Sequence, residues 1–187
     1  MDGLIYGAIS LNLSEGIGSF WAPWYNGLDA HTFEGHMPLF FWLQSAFFTV
    51  FGNHFFTERV FTFVLFLISL TLVFKIQNTK SGNMAAIISA IFIAITPKVV
   101  WCFDNNMLET LLVPIALFSF WIIQQRQKLK KAWQIPLFAF MCLLFFLVKG
   151  PVVLAVLTMP IFFFRNLKSG LIDFFYGLLC FIILLGI

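Results

Sequence analysis

Charge is what this sequence has least of. Only 10% of its residues are Asp, Glu, Lys or Arg, against 61% hydrophobic, and its mean hydropathy is +0.96. So small a charged fraction, with 27 Phe among 187 residues, excludes a water-soluble domain of this size. Cysteine is scarce too: Cys102, Cys142 and Cys180 lie in or beside apolar runs with no ligand or redox spacing, which leaves them as small apolar residues. The eleven Lys and Arg are scattered at the ends of apolar runs, so the net charge of +3 marks membrane topology and not a nucleic-acid surface. There is no nucleotide-sugar signature. A leader is missing as well, since Met1 is followed at once by Asp2 and a polar stretch with neither a basic n-region nor an apolar h-region. The last apolar run, from Leu171, stops at Ile187 without a polar flank, and the chain reads as a fragment that lacks an upstream span.

What is present begins with Asp2 to Leu39. This stretch holds Asp2, Glu15, Asp29 and Glu34, half of the eight acidic residues, and no Lys or Arg. An acid-only, glycine-bearing segment joined to apolar spans reads as a loop at one membrane face, taken as the active face. Leu4, Ile5, Ala8, Ile9 and Leu13 have helical spacing, which predicts a short amphipathic helix over residues 2–13 lying on the bilayer. Glu15-Gly16-Ile17-Gly18-Ser19 ends it, and Phe20, Trp21, Trp24 and Tyr25 are interface-seeking aromatics. Pro38 opens a fourteen-residue run, Leu39 to Gly52, of about 21 Å, short of a hydrocarbon core of about 30 Å. With Trp42, Gln44, Ser45 and Thr49 in it, the run reads as an interfacial helix.

The runs that follow are read as spans in alternating order: Phe55 to Phe74, Met84 to Trp101, Leu108 to Ile123, Trp133 to Val148, Val152 to Phe164, and Leu171 onward. Lys75, Lys80, Arg126, Lys128, Lys130, Lys131, Arg165 and Lys168 then fall on the inner side, as the positive-inside bias requires. The expected fold is all-α: a polytopic transmembrane helical bundle of about six spans over residues 55–187, after a periplasmic-face loop with interfacial helices over residues 1–54. The outer face gathers the opening loop, the turn from Lys98 to Glu109 and the Lys149-Gly150-Pro151 turn.

Lys98 and Lys149 break the inside bias. A lysine at the outer rim of a bundle can hold an anionic headgroup as a point charge; alternatively each snorkels to its nearest interface. Asp104 and Glu109 have two readings, as site carboxylates or as caps of the helix beginning near Met107. Gln44 either orients loop residues or faces headgroups. His36 and His54 suit interface positions.

The order Asp2, Tyr6, Ile9, then Glu15-Gly16-x-Gly18-Ser19-Phe20-Trp21, then His36-Met37-Pro38-Leu39-Phe40-Phe41-Trp42-Leu43-Gln44, then Phe51-Gly52 and Glu58-Arg59, resembles the first half of the bacterial GT-C glycosyltransferases. The relatives are the 4-amino-4-deoxy-L-arabinose transferase-like and protein mannosyltransferase-like enzymes. Asp104-Asn105-Asn106-Met107-Leu108-Glu109 and Leu147-Val148-Lys149-Gly150-Pro151 continue the likeness. It implies transfer of a sugar from a polyprenyl-phosphate carrier to a lipid, glycan or protein acceptor at the periplasmic face of a bacterial inner membrane. Asp2 is then the general base, Asp104 and Glu109 are further catalytic acids, and Tyr6, Glu34, His36, Gln44, Lys98 and Lys149 line the substrate. The phosphate leaving group needs positive charge, from Lys149, Lys98 or His36, or from a divalent metal held by carboxylates. Relatives often carry Asp-Glu and then an arginine before the tyrosine; here Gly3 follows Asp2 and Ile5 precedes Tyr6, so that second acid and that arginine are absent. Glu34 is displaced by one residue from the relatives' pattern.

Two other classes fit a membrane chain: a lipid or ion transporter, and a structural subunit. A transporter predicts ionisable groups at mid-membrane, whereas the span interiors hold Pro114, Pro136 and Pro160 without such partners. A structural subunit leaves the acidic outer loop without a use.

Overall fold

The computed structural model describes residues 2–25, 32–33, 35–54, 56–125, 131–158 and 167–185. They are helical almost throughout: α1 (Asp2–Ser14), α2 (Leu39–Phe51), α3 (Thr57–Ile95), α4 (Pro97–Asp104), α5 (Glu109–Gln124), α6 (Lys131–Lys149), a 3₁₀ turn (Gly150–Val152), α7 (Val153–Leu157) and α8 (Leu167–Leu185). The only extended pairings among the described residues are isolated bridges, Gly18 with Pro23 and Trp24 with Thr32. The fold is the expected all-α membrane bundle. The chain divides into two compact units, Met1–Pro114 and Ile115–Ile187.

In the first unit, α3 carries the signature of a lipid-facing helix. Phe61, Leu65, Leu72, Val73 and Ile76 are buried on one face, while Phe63, Val64, Leu67 and Ile68 point outward and are exposed. The buried face also holds Thr62 and Ser69, whose hydroxyls bond back to the carbonyls of Arg59 and Leu65 at 3.2 and 2.8 Å. Small self-satisfied polar residues of this kind allow close helix contact in lipid.

A straight helix of 39 residues would run about 58 Å. Yet Ala94 lines one cavity together with Phe63 and Phe66, so the chain doubles back. The reversal is at Gly82, where φ is 81°, a left-handed value that a side chain rarely adopts. The two apolar runs expected on either side of Lys75 and Lys80 are therefore the limbs of one hairpin. The helix continues through both lysines, because Lys75-Ile76-Gln77-Asn78-Thr79-Lys80 contains no breaker before Gly82.

Helix α1 is correct in extent but not in its buried face. Leu4 is 78% exposed, and the residues turned inward are Gly3, Tyr6, Gly7, Ile9 and Ser10. Helix α2, about 20 Å long, packs antiparallel on this face, with Tyr6 against Phe40 and Phe41 and Gly3 joined through Asn106 to Gln44. Phe40 and Phe41 are fully buried. On the outer side, Trp42 stacks on Phe20 at 3.9 Å and donates its indole N–H to the Phe20 carbonyl at 2.6 Å.

In the second unit α6 and α8 pack together. Phe138 lies against Gly177, and Phe146 against Phe181 at 5.9 Å, contacts that advance in the same sense along both helices. The pair is therefore parallel, and the segment between them returns the chain. That return begins at Gly150, where φ is 60°. The basic residues Arg126, Lys128, Lys130 and Arg165 lie outside the described residues, as do Asp29 and Glu34.

Candidate functional site

The site is built around the end of α4. Pro97 occupies the first turn of that helix, where its missing N–H costs nothing. At the other end Asn105 donates its N–H to Trp101 O at 3.0 Å, Met107 donates to Cys102 O at 3.2 Å, and Asn106 sits between them at φ 51°. This is the left-handed helix stop that asparagine tolerates better than other side chains. It turns the Asn106 side chain inward, where the residue is 5% exposed.

The Asn106 amide is the hub. Its Nδ2 donates to the Gly3 carbonyl at 3.2 Å, to Glu58 Oε2 at 3.3 Å and toward Gln44 Oε1 at 3.4 Å, and its Oδ1 accepts from Gln44 Nε2 at 2.7 Å. One side chain thus ties α1, α2 and α3 to the Asp104-Asn105-Asn106 turn. Two glycines permit the closeness. A Cβ at Gly3 would collide with the Asn105 carbonyl oxygen, and one at Gly7 with the Glu58 carboxylate. Gly3 therefore leaves no room for an acid at its position. Glu58 and Arg59 line the same pocket as Gly3.

Arg59 Nη1 donates to Asp104 Oδ1 at 2.7 Å. Two cavities meet at this pair. The larger, about 520 Å³, is an apolar groove between the limbs of α3 and α4, walled by Val60, Phe63, Phe66, Val100 and Phe103. The smaller, about 200 Å³, is a polar pocket at Gly3, Glu58, Asn105 and Asn106. Arg59 and Asp104 line both.

The expected site residues separate into those gathered here and those placed elsewhere. Asp2 is exposed in the first turn of α1, next to Gly3. The Tyr6 phenol is raised above its ordinary value of 10.0, by burial first and then by the charges of Asp2 and Glu109, so both acids lie within electrostatic reach of it. His36 meets the Tyr6 ring edge-on at 5.7 Å. Gln44 is fully buried and donates to Asn106 Oδ1 at 2.7 Å, so it orients the turn, one of the two readings its sequence position left open. Asp104 closes α4 and pairs with Arg59; capping of α5 is not its role. Lys98 lies 4.2 Å over the Trp101 ring. Lys149 ends α6, in the second unit. Glu34 lies outside the described residues.

Glu58 and Arg59 stand in the family pattern but were given no role from sequence, and the structure brings both to the smaller pocket. Their signal was available: an adjacent acid and base at the mouth of an apolar span, where each is costly to bury. Among the described residues no three His, Cys, Asp or Glu come together as a metal-binding group, and of the two carboxylates that line the smaller pocket, Glu58 and Asp104, the second is paired with Arg59.

A comparison with protein-family models finds a match over residues 35–187 to the family described as dolichyl-phosphate-mannose-protein mannosyltransferase. The matched range holds α2 to α8, with Glu58, Arg59 and the Asp104-Asn105-Asn106 turn. No curated protein and no solved structure matches the chain.

Proposed function

The chain belongs to the dolichyl-phosphate-mannose-protein mannosyltransferase family of GT-C membrane glycosyltransferases, and from that membership we propose that it transfers a sugar from a polyprenyl-phosphate carrier to a hydroxyl acceptor at the periplasmic face of a bacterial inner membrane. The observation that carries the donor class is the meeting of an apolar groove and a polar pocket at one guanidinium. A carrier of this class has the same three parts in the same order. Its prenyl tail suits the groove, whose volume lies in the range of ligand pockets. Its phosphate suits Arg59, a fork of donors that matches phosphate oxygens two at a time. Its sugar suits the pocket beyond.

In the reaction the acceptor oxygen attacks the anomeric carbon, the bond from that carbon to the phosphate oxygen breaks, and the acceptor proton passes to Asp2. Asp2 is solvent-exposed at the start of α1, beside the pocket wall at Gly3, and open to an incoming hydroxyl. Arg59 offsets the charge that develops on the leaving phosphate, so protonation of that group contributes little. Tyr6, raised by burial and by the charges of Asp2 and Glu109, stays neutral and keeps its hydroxyl proton.

The test is Asp2→Asn in the full-length enzyme. Transfer of label from a polyprenyl-phosphate sugar is expected to fall by about 10²-fold or more, the usual worth of a positioned base, while binding of the carrier is kept. Transfer at the wild-type rate removes Asp2 from the mechanism.

A further inference from the structure

We infer that the polar pocket beside Gly3 receives the transferred sugar ring and that Glu58 is its specificity-determining residue, accepting a hydrogen bond from one hydroxyl of that sugar; this rests on the transferase reading. The pocket is about 200 Å³, the room of about seven waters at roughly 30 Å³ each. That is space for one small polar ring.

Glu58 is held for this task from two sides. Asn106 Nδ2 donates to its Oε2 at 3.3 Å, and the bare backbone of Gly7 lets its Oε1 rest against α1. Asn106 is itself fixed by Gln44, which is fully buried, so the carboxylate is oriented by a layer of side chains behind it. An ionised carboxylate offers about four lone-pair positions, and Asn106 occupies one. What remains faces a pocket whose other polar walls include Arg59 and the Asn105 and Asn106 turn. An acceptor-only group at a fixed angle selects for a hydroxyl at one ring position and against a ring that lacks it, because the unmet carboxylate would lose its water without replacement. Arg59, next in sequence, lines the same pocket, so the sugar hydroxyl and the phosphate are read by neighbouring residues of one helical turn.

The test measures transfer by the full-length enzyme from a panel of polyprenyl-phosphate hexoses and their mono-deoxy analogues, with wild type, Glu58→Gln and Glu58→Asp. Removal of one particular hydroxyl is expected to lower wild-type kcat/KM by about tenfold to a hundredfold, and the same removal is expected to matter less than threefold in Glu58→Gln, the mark of a shared interaction. Glu58→Asp, which keeps the charge on a shorter arm, should retain the preference in weakened form, and it serves the comparison if the amide variant does not fold. Equal sensitivity to every deoxy position in wild type and variants overturns the assignment of Glu58 while the transferase reading stands. Failure of the wild-type enzyme to use any donor of the panel overturns both.

Discussion

Arg59 and Asp104 are joined by a 2.7 Å hydrogen bond across the seam between an apolar groove and a polar pocket. Their side chains are 48% and 70% exposed, so the pair does little for the fold. An ion pair this open contributes about 0 to 1 kcal/mol. Its interest lies in what can replace it: an incoming phosphate competes with Asp104 for the same guanidinium.

Arg59→Met should therefore leave the unfolding temperature in detergent nearly unchanged while raising the KM for a lipid-phosphate donor about a hundredfold. Arg59→Lys keeps the charge without the fork and should fall between. Initial-rate kinetics against donor concentration check both, and an unchanged KM in Arg59→Met would remove the phosphate role.

The glycines of α1 and the glycine of the hairpin turn should cost stability for different reasons and differ in their effect on activity. Gly3→Ala and Gly7→Ala each force a methyl group into backbone or carboxylate, and overpacking of this kind costs about 1 to 3 kcal/mol. Gly82→Ala meets nothing within 4 Å, and its cost is wholly backbone strain, about 1 to 3 kcal/mol, because φ 81° with ψ 174° is a region kept almost entirely for glycine. Activity separates them further, since only the α1 variants displace Glu58 and the Asn105 carbonyl. Thermal unfolding together with transfer rates reads both effects.

Asn106→Gly isolates the hub. Glycine relieves the positive φ, so any backbone effect favours the variant. The lost amide leaves Gln44 buried and short of its partner, and the variant should lose about 1 to 3 kcal/mol. Gain of stability in Asn106→Gly would show that the hydrogen bonds matter less than the turn geometry.

Tyr6 predicts a pH effect of defined sign. Its folded phenol titrates above its unfolded value of 10.0, because burial and the charges of Asp2 and Glu109 disfavour the phenolate. The folded state thus holds the proton more tightly, so this contribution is complete below pH 10.0 and is lost as pH rises through the folded value. Tyr6→Phe should flatten that part of the stability curve, and Asp2→Asn should move the Tyr6 titration back toward 10.0 in ultraviolet difference spectra.

Much of the architecture could be read from the chain because long apolar runs leave few alternatives. Helix α2 was expected over Leu39 to Gly52 and ends at Phe51; α6 was expected from Trp133 to Val148 and spans Lys131–Lys149. Apolar spacing failed on α1, where Leu4 and Leu13 suggested one buried face and the glycines supply another. That inward face is set by what approaches it, the Asn105 carbonyl and the Glu58 carboxylate, and both arrive from distant parts of the chain. Site residues followed the same division. Asp2, Tyr6 and Glu109 were given roles through the family pattern, whereas Glu58, part of the same pattern, gained a place only once Gly7 was seen to make space for it. Asn106 left a fainter trace, an asparagine pair directly after a short helix, where a left-handed residue is common.

The bend at Gly82 has a practical consequence. Residues 81–84 are exposed, so this tip accepts a lone cysteine at Ser81 or Asn83 with the turn glycine Gly82 left in place. Labelling such a cysteine in intact cells and in inverted vesicles reports which compartment Lys75 and Lys80 occupy. Because one hairpin carries both the tip and, at its other end, Arg59, that one accessibility measurement orients the reactive end of the first unit as well.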